Sequence, residues 1–322
     1  MPMIALDNGF EEAVAIVADV GASAARLCAA TGFVPLAQGP VDAGAIALMG
    51  LSGGAREVLI GHPGVARGRI RLIQIDGPVA GLNREGGQAW DPGGIFDINL
   101  RALPDIEVLQ RALVEHGFVA HAPITDWDFG PLAVREVVNS DADGICIALM
   151  ERVRPPLQGY EGVSGPASFV FNSTQVVPDF EAARHLYRDC LGWLPVQETQ
   201  GMAAQESGAN CMGLPEGIAA QIPMRIGIYQ PEGRMEGSVE IIEYGVRGHD
   251  FSDCEPPLRG WASLRFPVTD LEDFIERAAQ GGCRIIGPLA AQWAPHPAGM
   301  AAAAITPWGA RLEAFQSGVK DR

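Results

Sequence analysis

Positive charge is scarce in this chain of 322 residues: Lys and Arg number 23 against 39 Asp and Glu, a net charge of −16. A surface of that sign repels polyphosphate, which excludes a nucleic-acid binder that works by neutralising the backbone. Long apolar runs are missing too. The most apolar stretches, such as 299–305, fall far short of the ~20 residues a membrane-spanning helix needs, so no membrane partner is expected. No basic residue precedes Arg26, so no secretory leader is expected either. The six cysteines include no C-x-x-C pair, which leaves out structural zinc and suits reduced thiols in a cytoplasmic protein. What is plentiful is glycine and proline, at 40 and 24. Without a Gly-X-Y period they read as tight turns between short strands. Hydrophobic residues at 48% supply ample core, and the length suggests two domains.

The clearest boundary is 154–166, which holds three prolines and three glycines and no apolar periodicity. It reads as a linker between a domain over 1–153 and another over 167–322.

Internal repetition carries more information. Segments Asp105 to Gly117 and Asp270 to Gly282 each begin on Asp, carry a helical apolar pattern and reach Gly twelve residues later. Asp suits an N-cap and Gly a left-handed C-terminal position, so each predicts one capped helix. The register persists for a further 27 residues in both copies, to Gly144 and Gly309, each set before a closing strand. A second pair, Ser23 to Pro35 and Glu181 to Pro195, has the same texture and also follows an apolar strand. The chain therefore predicts four units of strand, helix and about three strands, an α+β fold. One helix covers one face of a short sheet, and two units together curve the uncovered faces into a cup suited to a small molecule.

Val177-Pro-Asp-Phe-Glu-Ala-Ala-Arg-His-Leu-Tyr-Arg-Asp-Cys-Leu-Gly192 resembles the first helix of the vicinal oxygen chelate (VOC) superfamily, the glyoxalase/bleomycin-resistance/dioxygenase group. Thr306-Pro-Trp-Gly-Ala-Arg-Leu-Glu-Ala-Phe315 resembles its closing strand. The resemblance implies four βαβββ modules paired into two cup-shaped domains, and commonly a divalent metal held by first- and last-strand residues of paired modules. Carried over residue by residue, the last-strand positions of the C-terminal half fall on Glu313 and on Glu240 (or Glu243). The first-strand positions there fall on Asn172 (or Ser173 or Phe171 if Pro178 shifts the strand) and Ser263. In the N-terminal half Glu12 and Asp97 lie near first-strand positions, and Arg71 (or Gln74) and Ala148 at last-strand ones. The usual histidines are missing from all of them. The six histidines themselves read as solvated or helix-surface residues. A complete metal set is therefore not expected; if a divalent ion binds at all, Glu313 and Glu240 are its candidates. Iron-dependent ring cleavage is disfavoured.

What remains is carboxylate chemistry. Glu240 and Glu313 come from different modules and are expected to converge in a C-terminal cup, where burial would tune one as a general acid or base. Asn172, Ser263, Arg265, Arg225 and Tyr229 are the candidate substrate-binding residues, an arginine there favouring an anionic or carbonyl-bearing ligand. The N-terminal half reads as a degenerate copy that packs against the catalytic one. Two functions fit: a lyase or isomerase acting on a small oxygenated compound, or a metal-free protein that sequesters a small-molecule ligand. Dimers are common in such folds, although the internal duplication already offers the same pairing.

Overall fold

The computed structural model describes residues 9–316. Four βαβββ modules follow one another. Module 1 comprises β1 (Glu12–Ile16), α1 (Val20–Thr31), β2 (Val34–Pro40), a short α2 (Ala43–Leu48), β3 (Ala55–Gly61) and β4 (Arg69–Ile75). Module 2 comprises β5 (Asp97–Ala102), α3 (Ile106–Glu115), β6 (Val119–Ala120), β7 (Thr125–Asp128), β8 (Ala133–Ser140) and β9 (Cys146–Arg154). Module 3 comprises β10 (Ala167–Val176), α4 (Phe180–Arg184) running into a π-helical turn (His185–Cys190), β11 (Leu194–Met202), α5 (Glu216–Ala219), β12 (Pro223–Gln230) and β13 (Ser238–Tyr244). Module 4 comprises β14 (Gly260–Val268), α6 (Leu271–Gln280), β15 (Arg284–Ala291), β16 (Gly299–Ile305) and β17 (Arg311–Gln316).

The helix boundaries follow from local chemistry. Asp19, Asp105, Asp179 and Asp270 each accept a backbone N–H from the first turn of the helix they precede, satisfying donors that have no partner inside the helix. Gly309 stands at φ +80°, and a Cβ there would lie 2.2 Å from the Ser252 carbonyl oxygen, so only glycine fits the turn into β17.

Within each module the first and last strands run parallel, β1 with β4, β5 with β9, β10 with β13 and β14 with β17. Modules join through their first strands, which pair antiparallel: β1 with β14, placing Glu12 opposite Arg265, and β5 with β10, placing Asn99 opposite Asn172. The result is an eight-stranded sheet from modules 1 and 4 and a nine-stranded sheet from modules 2 and 3. This corrects the expectation of one cup from 1–153 and another from 167–322, because each cup draws on both halves. The short segment 155–166 turns the chain straight from β9 into β10, so the two middle modules pair and the outer two are left for each other.

The first helix of each module, α1, α3, α4 with its π-helical turn, and α6, lies between the two sheets, and together they share one core in which Leu27, Leu109, Leu186 and Phe274 are all buried. The two concave faces therefore open away from each other. Segment 155–166 is docked rather than free: Tyr160 stacks on Phe169 with ring centroids 5.2 Å apart. All six cysteines are unpaired. Among the described residues no helix is long and apolar enough to cross a membrane.

Candidate active site

Alternation along a strand sends every second side chain into the helix-filled core and the next onto the concave face. In the cup of modules 1 and 4 the concave face carries charge. Arg71 forks onto Glu12 at 2.7 and 2.8 Å and reaches Glu57 at 2.6 Å. Arg265 donates to Glu313 at 2.6 Å and to Glu12 at 3.3 Å, with its guanidinium 4.4 Å over the Trp293 ring. His296 Nε2 lies 3.5 Å from both Glu11 and Glu12. Burial alone would raise the Glu12 carboxyl, but Arg71, His296 and Arg265 together hold it well below the usual range. Its neighbour Glu11 is raised by burial to about 7, with His296 opposing.

This cup is filled. α2 sets Ala45 and Leu48 against Ala301 and Ala303, and Ile46 and Met49 against Val14 and Ile73. Asp42 ties α2 to the segment after β15, accepting from Gly44, Ala45 and Gln292. The alanine run of β16 makes the room. At Gly44 a Cβ would come 1.9 Å from the Ala290 carbonyl oxygen, so the helix can approach only with glycine there.

The cup of modules 2 and 3 is hollow, with a cavity of about 430 Å3. Asp97, Asn99 and Arg101 reach it from β5, Asn172 and Thr174 from β10, Glu136 from β8 and Glu240 from β13. Register aligns Asp97, Thr174 and Glu240 abreast on three adjacent strands. Asn99 Nδ2 donates to Asn172 Oδ1 at 2.8 Å and to Thr174 Oγ1 at 3.1 Å, and Asn172 Nδ2 donates to Ser238 Oγ at 2.8 Å. Burial raises Asp97 to about 7, with Thr174 opposing. Burial also raises Glu240 to about 8, and the nearby Glu136 and Asp97 push it the same way. Glu136 too is raised by burial, with Cys211 and Trp127 beside it working against the rise.

Several expectations need correction. Glu240 and Glu313 do not converge: β13 belongs to one sheet and β17 to the other. Glu313, Ser263 and Arg265 all lie in the filled cup, where Glu313 is fully buried against Arg265. Arg225 and Tyr229 sit on the opposite face of β12 from Met224, Ile226 and Ile228, which are the ones that line the cavity. Arg225 pairs with Glu181 over the Phe180 ring, and Tyr229 is buried with its hydroxyl donating to Glu198 at 2.8 Å. Of the seven residues proposed from sequence, only Glu240 and Asn172 reach the hollow. His62 is not solvated but buried, its Nε2 2.9 Å from the Ala167 carbonyl oxygen.

The N-terminal half is no bystander, since it supplies Asp97, Asn99, Arg101 and Glu136. The last three were missed. Their signal was present in the strict alternation of Asp97-Ile-Asn-Leu-Arg101, polar toward the cup and apolar toward the helices.

Neither donor set fits the divalent ion that the resemblance implies. In one cup two guanidinium groups stand among the carboxylates, and a cation there would meet like charge. In the other, of the positions carried over, Asn172 is already bonded to Asn99 and Ser238, Ala148 has no donor atom in its side chain, and Asp97 and Glu240 stand on strands separated by β10. Among the described residues no three His, Cys, Asp or Glu side chains group to hold a metal.

No family model matches the sequence, and no curated protein matches it. Solved structures do. Glyoxalase I from Zea mays superposes with a TM-score of 0.61 at 14% identity, over 96% of this chain and 92% of that one. A protein of Bacillus subtilis described as a dioxygenase superposes with a TM-score of 0.56 at 12% identity, over 97% of this chain and 86% of that one. Four βαβββ modules, two cups and these superpositions along nearly the whole chain give it the fold of the vicinal oxygen chelate superfamily.

Proposed function

We propose that the chain is an acid/base enzyme, of the lyase or isomerase kind, acting on a small oxygenated organic compound held between modules 2 and 3. The observation that carries this reading is the row Asp97–Thr174–Glu240 on the wall of a largely apolar hollow. With Glu240 pushed to about 8 and Asp97 to about 7 by burial, neutral pH leaves a protonated Glu240 and an Asp97 near half-ionised. One carboxyl can then take a proton from a carbon next to a carbonyl while the other gives one to the oxygen where charge develops. Catalytic pKa values close to the working pH favour transfer in both directions, as an isomerisation requires. Glu313, expected from the sequence to share this site, stands in the other cup and has no part in this step.

The test is turnover. Glu240→Gln and Asp97→Asn are each expected to lower kcat by about 10²–10⁴ while leaving ligand affinity close to that of the parent chain. Unchanged kcat in both variants refutes the assignment.

Sequestration without chemistry is the second reading. It is favoured by the Asn99–Asn172–Ser238 chain, which is hydrogen-bonded within itself and includes Asn172, a first-strand position to which the resemblance assigns a ligand. Recovery of the bound compound unaltered after prolonged incubation with the protein separates it from the enzyme reading.

A further inference from the structure

We infer that Arg101 and Arg152 form an anion subsite in the hollow of modules 2 and 3, so that the compound held there bears a carboxylate on an otherwise apolar body. The inference rests on that hollow being the ligand site and adds the chemical class of the ligand.

Arg101 is 2% exposed and, among the described residues, makes no ion pair. Its guanidinium lies 3.6 Å over the Phe171 ring. Nη1 donates to the Met150 thioether at 2.8 Å, a weak acceptor that returns no charge, and Nε is buried without an acceptor. The Tyr160 hydroxyl, a neutral partner, hydrogen-bonds Arg101 and itself donates to Glu236 at 3.1 Å. Arg152 also lines the hollow, and its Nε is likewise buried without an acceptor. The two cations are close enough for Arg152 to act on Arg101 electrostatically.

The contrast with the filled cup is direct. There Arg71 and Arg265 each hold carboxylates at 2.6–2.7 Å. A buried guanidinium without a counter-ion is costly to maintain, and although its charge is felt by Glu240 and Glu136 across the hollow, neither carboxylate pairs with it. An incoming carboxylate would meet Arg101 through the paired N–H geometry that guanidinium favours. The rest of the ligand would lie against Phe96, Trp127, Met212, Met224, Ile226 and Tyr244.

The experiment uses the full chain and isothermal titration with phenylacetate, phenylpyruvate and octanoate, alongside the neutral phenylacetamide and octanamide. At least one carboxylate is expected to bind at least tenfold more tightly than its amide. Arg101→Gln should weaken carboxylate binding by roughly 30-fold or more and leave the amides unchanged, with a smaller loss for the half-exposed Arg152→Gln. Equal affinity for carboxylate and amide, no carboxylate binding at millimolar concentration, or a preference that survives Arg101→Gln would each overturn the subsite. A filled hollow, Ile226→Trp, tells the two levels apart. If it abolishes binding but no carboxylate preference exists, the hollow stands and the subsite falls. If binding is indifferent to it, both fall. Arg101→Met without ligand is expected to raise Tm, since an unpaired charge leaves the interior; a lower Tm would assign Arg101 a structural role and overturn the proposal.

Discussion

Glu12, fully buried, and Glu240, half-buried at the wall of the hollow, both stand on interior strands, yet their neighbours drive them in opposite directions. Glu12 is held low by Arg71 and its other partners against the pull of burial, while Glu240 meets burial and two further acids and rises to about 8. Linkage turns these shifts into stability. Between the unfolded value near 4.5 and about 8, the folded chain keeps a proton on Glu240 that the unfolded chain has released, so its contribution falls as pH rises through that window. Glu12 works the other way, contributing above 4.5 and losing that contribution as pH drops through its depressed value. Urea unfolding at several pH values from 5 to 8 should show stability declining toward pH 8 less steeply in Glu240→Gln than in the parent; identical slopes would remove the shift assigned to Glu240. Glu313→Gln is expected to cost about 3 kcal/mol, because Arg265 loses its nearest counter-ion inside the protein. Turnover per folded molecule should not change, and a direct loss of kcat would return Glu313 to the active site.

At the level of elements, the filled cup depends on small side chains where α2 meets β16. Ala301 and Ala303 are fully buried beneath that helix. Ala303→Leu should therefore overpack the contact and cost about 1–3 kcal/mol in chemical denaturation, and a neutral result would mean that α2 is not seated as described. Helices were the elements most legible from sequence, because an aspartate cap and a terminal glycine act within a single turn. Segments Asp105 to Gly117 and Asp270 to Gly282 enclose the observed helices 106–115 and 271–280 within two residues at either end. The facing of β12 was not legible. Its cup side is Met224, Ile226 and Ile228, and its helix side includes the buried Tyr229, so polarity no longer points outward when a hollow is itself apolar. On β5 the cup side is polar, and there alternation alone would have sufficed.

For the molecule as a whole, the repeat revealed how many modules there are but not which of them pair, since each carries the same free edge on its first strand. That one ambiguity moved Glu313 and Glu240 into different cups. Residues 1–160 and 161–322 produced as separate fragments are each expected to lack a cooperative unfolding transition, and to regain one when mixed, because every sheet needs strands from both. Independent cooperative folding by either fragment would contradict the pairing of β1 with β14 and β5 with β10. The pairing is nested, one closure inside another like parentheses. Everything that lines the hollow lies between Phe96 and Tyr244, so on a ribosome the ligand-holding wall is complete while module 4 is still unmade. Arg71 finds Glu12 and Glu57 within module 1, but the link from Glu12 to Arg265 spans 253 residues and must wait for module 4. Contacts that distant in sequence form slowly, which makes the electrostatic clasp, and not the ligand pocket, the late event of folding.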